Sequence, residues 1–95
     1  MQLEELCGRR FKLLKVLVEE GGELNISTLA ARAGMNNQIA WKALRLLIDA
    51  KLVTIKHYGS RIKIVRLNVD NPRIRTLKTL IEIWEGNNYD FLEEV

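Results

Sequence analysis

Residues Ile26 to Val53 read ISTLAARAGMNNQIAWKALRLLIDAKLV. Two short amphipathic helix patterns lie in this run, parted by a tight corner at Ala33-Gly34-Met35-Asn36, and a strand pattern follows at once. In the first helix Leu29, Ala30 and Ala33 face inward. Asn25 is its expected N-cap, because an asparagine oxygen can accept from the orphan amides of the first turn. Asn36 is the expected cap of the second helix, which continues to about Ala50. At about 100° per residue, Ala40, Ala43, Leu44, Leu47 and Ala50 gather on one side of that helix, and Gln38, Lys42, Arg45 and Asp49 on the other.

Two helices meeting at a tight corner, with an apolar inner face and a polar outer face on the second, form a helix-turn-helix. The second helix of such a unit is shaped to enter a DNA groove. Outward from this unit, a helix is expected from about Leu3 to Glu20, carried by Leu3, Leu6, Cys7, Leu14, Leu17 and Val18, with Phe11 and Leu13 widening the apolar surface. Gly21-Gly22 stops it. On the other side, strand patterns at Leu52–Tyr58 and Arg61–Asn68 flank Gly59-Ser60. Read as a two-residue hairpin loop, this pairs Tyr58 with Arg61, His57 with Ile62, Lys56 with Lys63, Ile55 with Ile64 and Thr54 with Val65. One face then carries Ile55, Ile62 and Ile64, expected to be buried. The other carries Lys56, Tyr58, Arg61 and Lys63. Asp70-Asn71-Pro72 breaks the chain and starts a last helix to about Trp84, with Ile74, Leu77, Leu80, Ile81 and Trp84 on its apolar face. Gly86-Asn87-Asn88 ends it, and Tyr89–Val95 is a short acidic tail.

The expected fold class is therefore α+β, mainly helical, in the order α-α-α-β-β-α, with a short strand possible before the second helix. The expected domain spans residues 1–85 and the tail residues 86–95. Gly34-Met35-Asn36, Ala40, Leu44, Leu47 and Leu52-Val53 resemble the core pattern of winged-helix regulators of the MarR and ArsR type. Asp70-Asn71-Pro72-Arg73-Ile74-Arg75 before a leucine-rich helix is similar to small archaeal members of that superfamily. The resemblance implies a homodimer formed largely by terminal helices. One departure is Lys51, where the family usually ends the recognition helix on glycine.

The chain of 95 residues has a net charge of +3, but the charge is unevenly placed. Between Leu24 and Val69 there are 8 basic residues and 1 acid, a local balance of +7. Concentrated cationic charge on a helix-turn-helix points to a polyanion partner; a solvated basic face is the bland alternative. The expected DNA contacts on the recognition helix are Asn36, Asn37, Gln38, Trp41, Lys42 and Arg45. Gln38 can bond bidentately to adenine, and Lys42 or Arg45 can reach guanine or phosphate. Trp41 lies on the border of the two faces and suits either stacking or core. On the hairpin the expected contacts are Lys56, Tyr58, Ser60, Arg61 and Lys63, because opposed lysines are understandable where phosphate lies across them. His57 is read as an interface residue. Leu3, Leu6, Ile74, Leu77, Ile81 and Trp84 are the expected dimer interface; a last helix that only folds back on the first is the alternative.

One cysteine and one histidine make no metal cluster within one chain; Cys7 is read as a small buried hydrophobe, with an approach to its symmetry mate in a dimer as the alternative. No cofactor, catalytic constellation or phosphate loop is indicated. No signal-peptide or membrane-spanning pattern is present, so a cytoplasmic protein is expected. The expected partners are double-stranded DNA and a second copy of the chain. The expected function is that of a sequence-specific DNA-binding transcriptional regulator. A winged helix used as a protein-interaction module, or a non-specific architectural DNA binder, is the alternative. No small-molecule effector is named by the sequence.

Overall fold

The computed structural model describes residues 3–85, with side chains over 8–84. The elements are α1 (Leu3–Glu19), β1 (Glu23–Asn25), α2 (Ile26–Arg32), α3 (Asn37–Asp49), β2 (Val53–Tyr58), β3 (Ile62–Leu67) and α4 (Pro72–Glu85). This is the α+β order read from the sequence, with the short strand before α2 present. The expected helix stop at 86–88, the acidic tail, and the side chains of Leu3, Leu6 and Cys7 lie outside the described residues.

The caps form as their residue types require. Asn25 Oδ1 accepts from the Ser27 amide at 2.8 Å and Asn36 Oδ1 from the Ile39 amide at 2.9 Å. Asn71 starts α4 by accepting from the Arg73 amide at 2.9 Å. Helix α1 is not the single smooth rod expected: Gly8, with φ 76° and ψ −159°, breaks it.

Helices α1, α2 and α3 all stop in the same way. The second residue past each helix cap bonds back to the carbonyl five positions earlier: Gly22 to Leu17 at 2.7 Å, Met35 to Ala30 at 3.0 Å and Leu52 to Leu47 at 2.9 Å. This stop needs a left-handed residue between, which is Gly21, Gly34 or Lys51. At Gly34 (φ 72°) the turn that aims α3 is open to a residue without a Cβ. At Lys51 (φ 62°) a side chain bears the conformation. Its carbonyl is gripped by Asn68 Nδ2 at 2.8 Å and Asn71 Nδ2 at 3.1 Å, which fixes the peptide in that orientation.

One buried cluster joins the helices to the sheet. Leu13, Leu14, Val16 and Leu17 of α1 meet Ile26, Leu29 and Ala30 of α2, and Ala40, Ala43, Leu44 and Leu47 of α3. Val53, Val65, Leu67 and Ile74 close it from the sheet and α4. Ala50, expected inside, is the exposed cap residue of α3.

The three strands run antiparallel in the order β1-β3-β2. Here the expected hairpin register is wrong by one residue. Tyr58 pairs with Ile62, His57 with Lys63, Lys56 with Ile64, Ile55 with Val65, Thr54 with Arg66 and Val53 with Leu67. The loop is therefore Gly59-Ser60-Arg61. A one-residue slip moves every side chain of one strand to the opposite face. The run IKIVRL offers two apolar phases, Ile62 and Ile64 or Val65 and Leu67. The second wins because its apolar residues sit at the end of β3 that lies over the helices. The first would press Arg66 into the core there.

Candidate nucleic-acid interface

Helix α3 presents its polar stripe because its other side is consumed by the core. Ala40 and Leu44 are fully buried, while Gln38, Lys42 and Arg45 are exposed. Asn36 and Asn37 are exposed at its start. The Asn36 side chain is occupied in capping, and Asn37 Nδ2 donates to Ser27 Oγ at 3.4 Å. Trp41 is half-buried and packs against the core cluster.

The corrected register rearranges the hairpin, which is the wing of this fold. Directly paired residues share a face, so Val53, Ile55 and His57 lie with Leu67, Val65 and Lys63 on the side of the helices. The polarity of that face changes along its length, from buried Val53 and Leu67 at the base to His57 and Lys63 toward the tip. Thr54, Lys56 and Tyr58 lie with Arg66, Ile64 and Ile62 on the outer side. The expected Lys56–Lys63 pair does not exist. Lys56 Nζ lies 5.4 Å from the Tyr58 ring centre on the outer face. Lys63 Nζ lies 5.0 Å from the Trp41 ring centre, facing α3. Ile62, expected to be buried, is 48% exposed. Ser60 and Arg61 are exposed in the loop.

Gln38, Trp41, Lys42, Arg45 and Lys63 line one cleft of about 510 Å³ between α3 and the wing. It holds three cations, an amide and an indole, with no acid in its lining. Electrostatics sharpen this concentration. Of the 8 basic residues between Leu24 and Val69, Arg32 pairs with Glu20 and Arg66 with Glu23, the latter at 2.8 Å. Both acids lie outside the stretch that gave the +7 balance. Lys42, Arg45, Lys51, Lys56, Arg61 and Lys63 have no ion pair among the described residues, and all belong to α3, its end or the wing.

Sequence reading missed Arg9 and Arg10. They line a second cleft, of about 500 Å³, with Gly8, Ile39, Lys42, Ala43 and Leu46. Only the packing of α1 on α3 reveals it, and no local pattern announces that packing. The α4 expectation also needs correction. In the isolated chain Ile74 is 1% and Ile81 2% exposed, and Leu77 is half-buried against the core. Their own chain already covers them, because the apolar stripe of α4 folds back on the domain. Leu80, Ile83 and Trp84 form the face left open, at 44%, 43% and 44% exposure.

No group of three or more histidine, cysteine or acidic side chains is placed to hold a metal ion among the described residues. No helix among them is long and apolar enough to cross a membrane.

A three-helix unit with a turn-mounted α3, a three-stranded sheet and a projecting hairpin defines a winged helix-turn-helix. The chain shares this fold over most of its length with regulators of the ArsR and MarR type. AF1382 from Archaeoglobus fulgidus is similar at a TM-score of 0.67 and 22% identity, over 90% of this chain and 100% of that one. Mb0332 from Mycobacterium bovis is described as a homodimeric winged helix-turn-helix DNA-binding domain and a possible ArsR-family transcriptional regulator. It matches at 0.63 and 26% identity, over 80% of this chain and 66% of that one. MepR, a transcription regulator of the Staphylococcus aureus multidrug efflux pump MepA, matches at 0.65 and 16% identity, over 98% and 70%. No protein-family model matches the sequence, and no curated protein does.

Proposed function

We propose that this chain is a homodimeric, sequence-specific double-stranded DNA-binding protein that regulates transcription. The observation that carries this reading is the acid-free cationic cleft in which α3 and the wing meet. Lys42, Arg45 and Lys63 supply phosphate contacts, which give most of the affinity of such proteins. Gln38 is the residue suited to a base edge in a major groove. Arg61 and Tyr58, exposed at the wing tip, suit the neighbouring minor groove. Asn36 contributes through its cap, which sets the start of α3.

The dimer is supported by the exposed Leu80, Ile83 and Trp84 on α4 and by the homodimeric state of the similar Mb0332 domain. Ile74, Leu77 and Ile81 support α4 from beneath in this arrangement. Two copies would set two recognition helices about one DNA turn apart and favour a palindromic site.

Selection of duplexes from a random pool tests the proposal. An enriched palindrome, with affinity falling steeply between roughly 50 and 200 mM salt, is the expected result. Absence of duplex binding at low salt refutes it.

One observation favours a second reading, a protein-docking module. Leu46 is 52% exposed on α3, beside half-buried Ile39. In that case Leu46→Ser abolishes function while a Lys42→Glu, Arg45→Glu variant keeps it.

A further inference from the structure

Lys63 on β3 faces α3. Its strand partner is His57, and its ammonium lies 5.0 Å from the Trp41 ring centre, within the usual range of a cation–π contact. It has no ion pair among the described residues. The indole is half-buried against the core, so the core fixes one part of the ring and the rest is offered to the cleft. Across that cleft stand Lys42 and Arg45, one and four residues along α3 from Trp41. Three cations therefore converge beside one aromatic surface.

A lysine ammonium on a flexible four-carbon stem is a point charge with many rotamers. Left alone near a wing tip, it would sample solvent. The indole removes that freedom by holding the ammonium toward α3. Like charges are brought together without a carboxylate to neutralise them, an arrangement that an incoming anion relieves.

We infer that Trp41 is a positioning residue, holding Lys63 so that Lys63, Lys42 and Arg45 together seat one backbone phosphate of the duplex. The inference rests on the DNA-binding reading above and names its main phosphate seat. A backbone phosphate matches the cleft, because the anion meets the three cations. It carries no base identity, so this seat sets register and affinity and leaves sequence choice to Gln38.

The experiment is a salt titration of binding to fluorescently labelled duplexes of several sequences, with thermal unfolding of each variant run alongside. Lys63→Gln is expected to weaken binding on the order of tenfold, equally for every sequence, and to reduce the log–log salt slope by about 1. Trp41→Leu is expected to reproduce that loss, and the double variant to lose no more than either single one. Trp41→Phe, which keeps a ring, restores most of the affinity. An unchanged slope for Lys63→Gln, a loss that depends on sequence, or independent additive losses would overturn the inference. A readout free of mutational unfolding is the proton spectrum of the unaltered protein. Ring currents shift the Lys63 side-chain methylenes upfield if the contact exists, and ordinary lysine shifts rule it out. If the unaltered protein binds no duplex at low salt, the DNA-binding reading fails, and this inference with it. If it binds and the Lys63 results disagree, only the phosphate seat fails.

Discussion

Helix α3 and the β2–β3 wing form one surface, yet their sequences yield information in opposite ways. The inner face of α3 follows from its own residues, since the spacing of Ala40, Ala43, Leu44 and Leu47 defines a side of the helix without reference to any neighbour. The inner face of a hairpin strand depends on its partner, and the partner's register depends on loop length. One residue more in the loop took Lys63 from beside Lys56 to beside Trp41. The difference is between a periodicity that is self-contained and one that has to be phased from outside.

Side-chain truncations in the two regions should differ most in stability. Leu44→Ala removes a fully buried side chain from α3 and is expected to cost about 4 kcal/mol. Leu67→Ala in the wing base, where the side chain is 2% exposed, is expected to cost about 3 kcal/mol. Ile62→Ala should change stability by no more than about 0.5 kcal/mol, because that side chain faces outward. Chemical denaturation measures all three. A large loss at Ile62 with little at Leu67 would restore the two-residue loop and the Lys56–Lys63 pair.

The second test concerns function. Lys42→Glu with Arg45→Glu is expected to weaken duplex binding on the order of a hundredfold or more, with a salt slope lower by at least about 2. Both side chains are exposed, so the melting temperature should barely move. Anisotropy titration at two salt concentrations, beside a thermal melt, separates lost contacts from lost fold.

Much of the frame was legible because short-range chemistry dictates it. Asn25, Asn36 and Asn71-Pro72 each start a helix by satisfying amides that any helix leaves open, and Gly34 permits the turn that α3 requires. The +7 stretch supplies the cations of the cleft between α3 and the wing, although the sequence did not show that Glu20 and Glu23 reach in to neutralise Arg32 and Arg66. What remained hidden depends on contacts between distant segments. An apolar stripe such as Ile74, Leu77 and Ile81 looks the same whether its own core or another chain covers it. The nearness of Arg9 and Arg10 to Lys42 exists only once α1 lies across α3.

The junction between the two regions gives a smaller, third test. Asn71 caps α4 through Oδ1 and holds the Lys51 carbonyl through Nδ2. It thereby ties the end of α3 to the start of α4. Asn71→Ala should cost about 1–2 kcal/mol, more than the loss of a helix cap alone usually does in peptides. Asn68→Ala, which keeps the cap, should cost less. Equal effects would mean that the cap contributes little and the carbonyl grip carries the energy.

The smallest expected effect isolates Lys51 itself. Its backbone has the same left-handed sense as Gly34, φ 62° against 72°, and ends its helix with the same pair of hydrogen bonds. For a residue with a Cβ that conformation costs about 1 kcal/mol. Lys51→Gly relieves the strain but gives the unfolded chain more freedom. The net expectation is a gain of about 0.5 kcal/mol, with unchanged DNA affinity. Gly34→Ala, the reciprocal change, should lose about 1 kcal/mol from conformational strain, since a Cβ there meets only Lys12 Nζ at an ordinary 3.6 Å. If Lys51→Gly instead weakens DNA binding by a factor of several, the lysine side chain contacts the duplex. The chain would then tolerate a strained helix stop because its cation is needed just beyond the recognition helix.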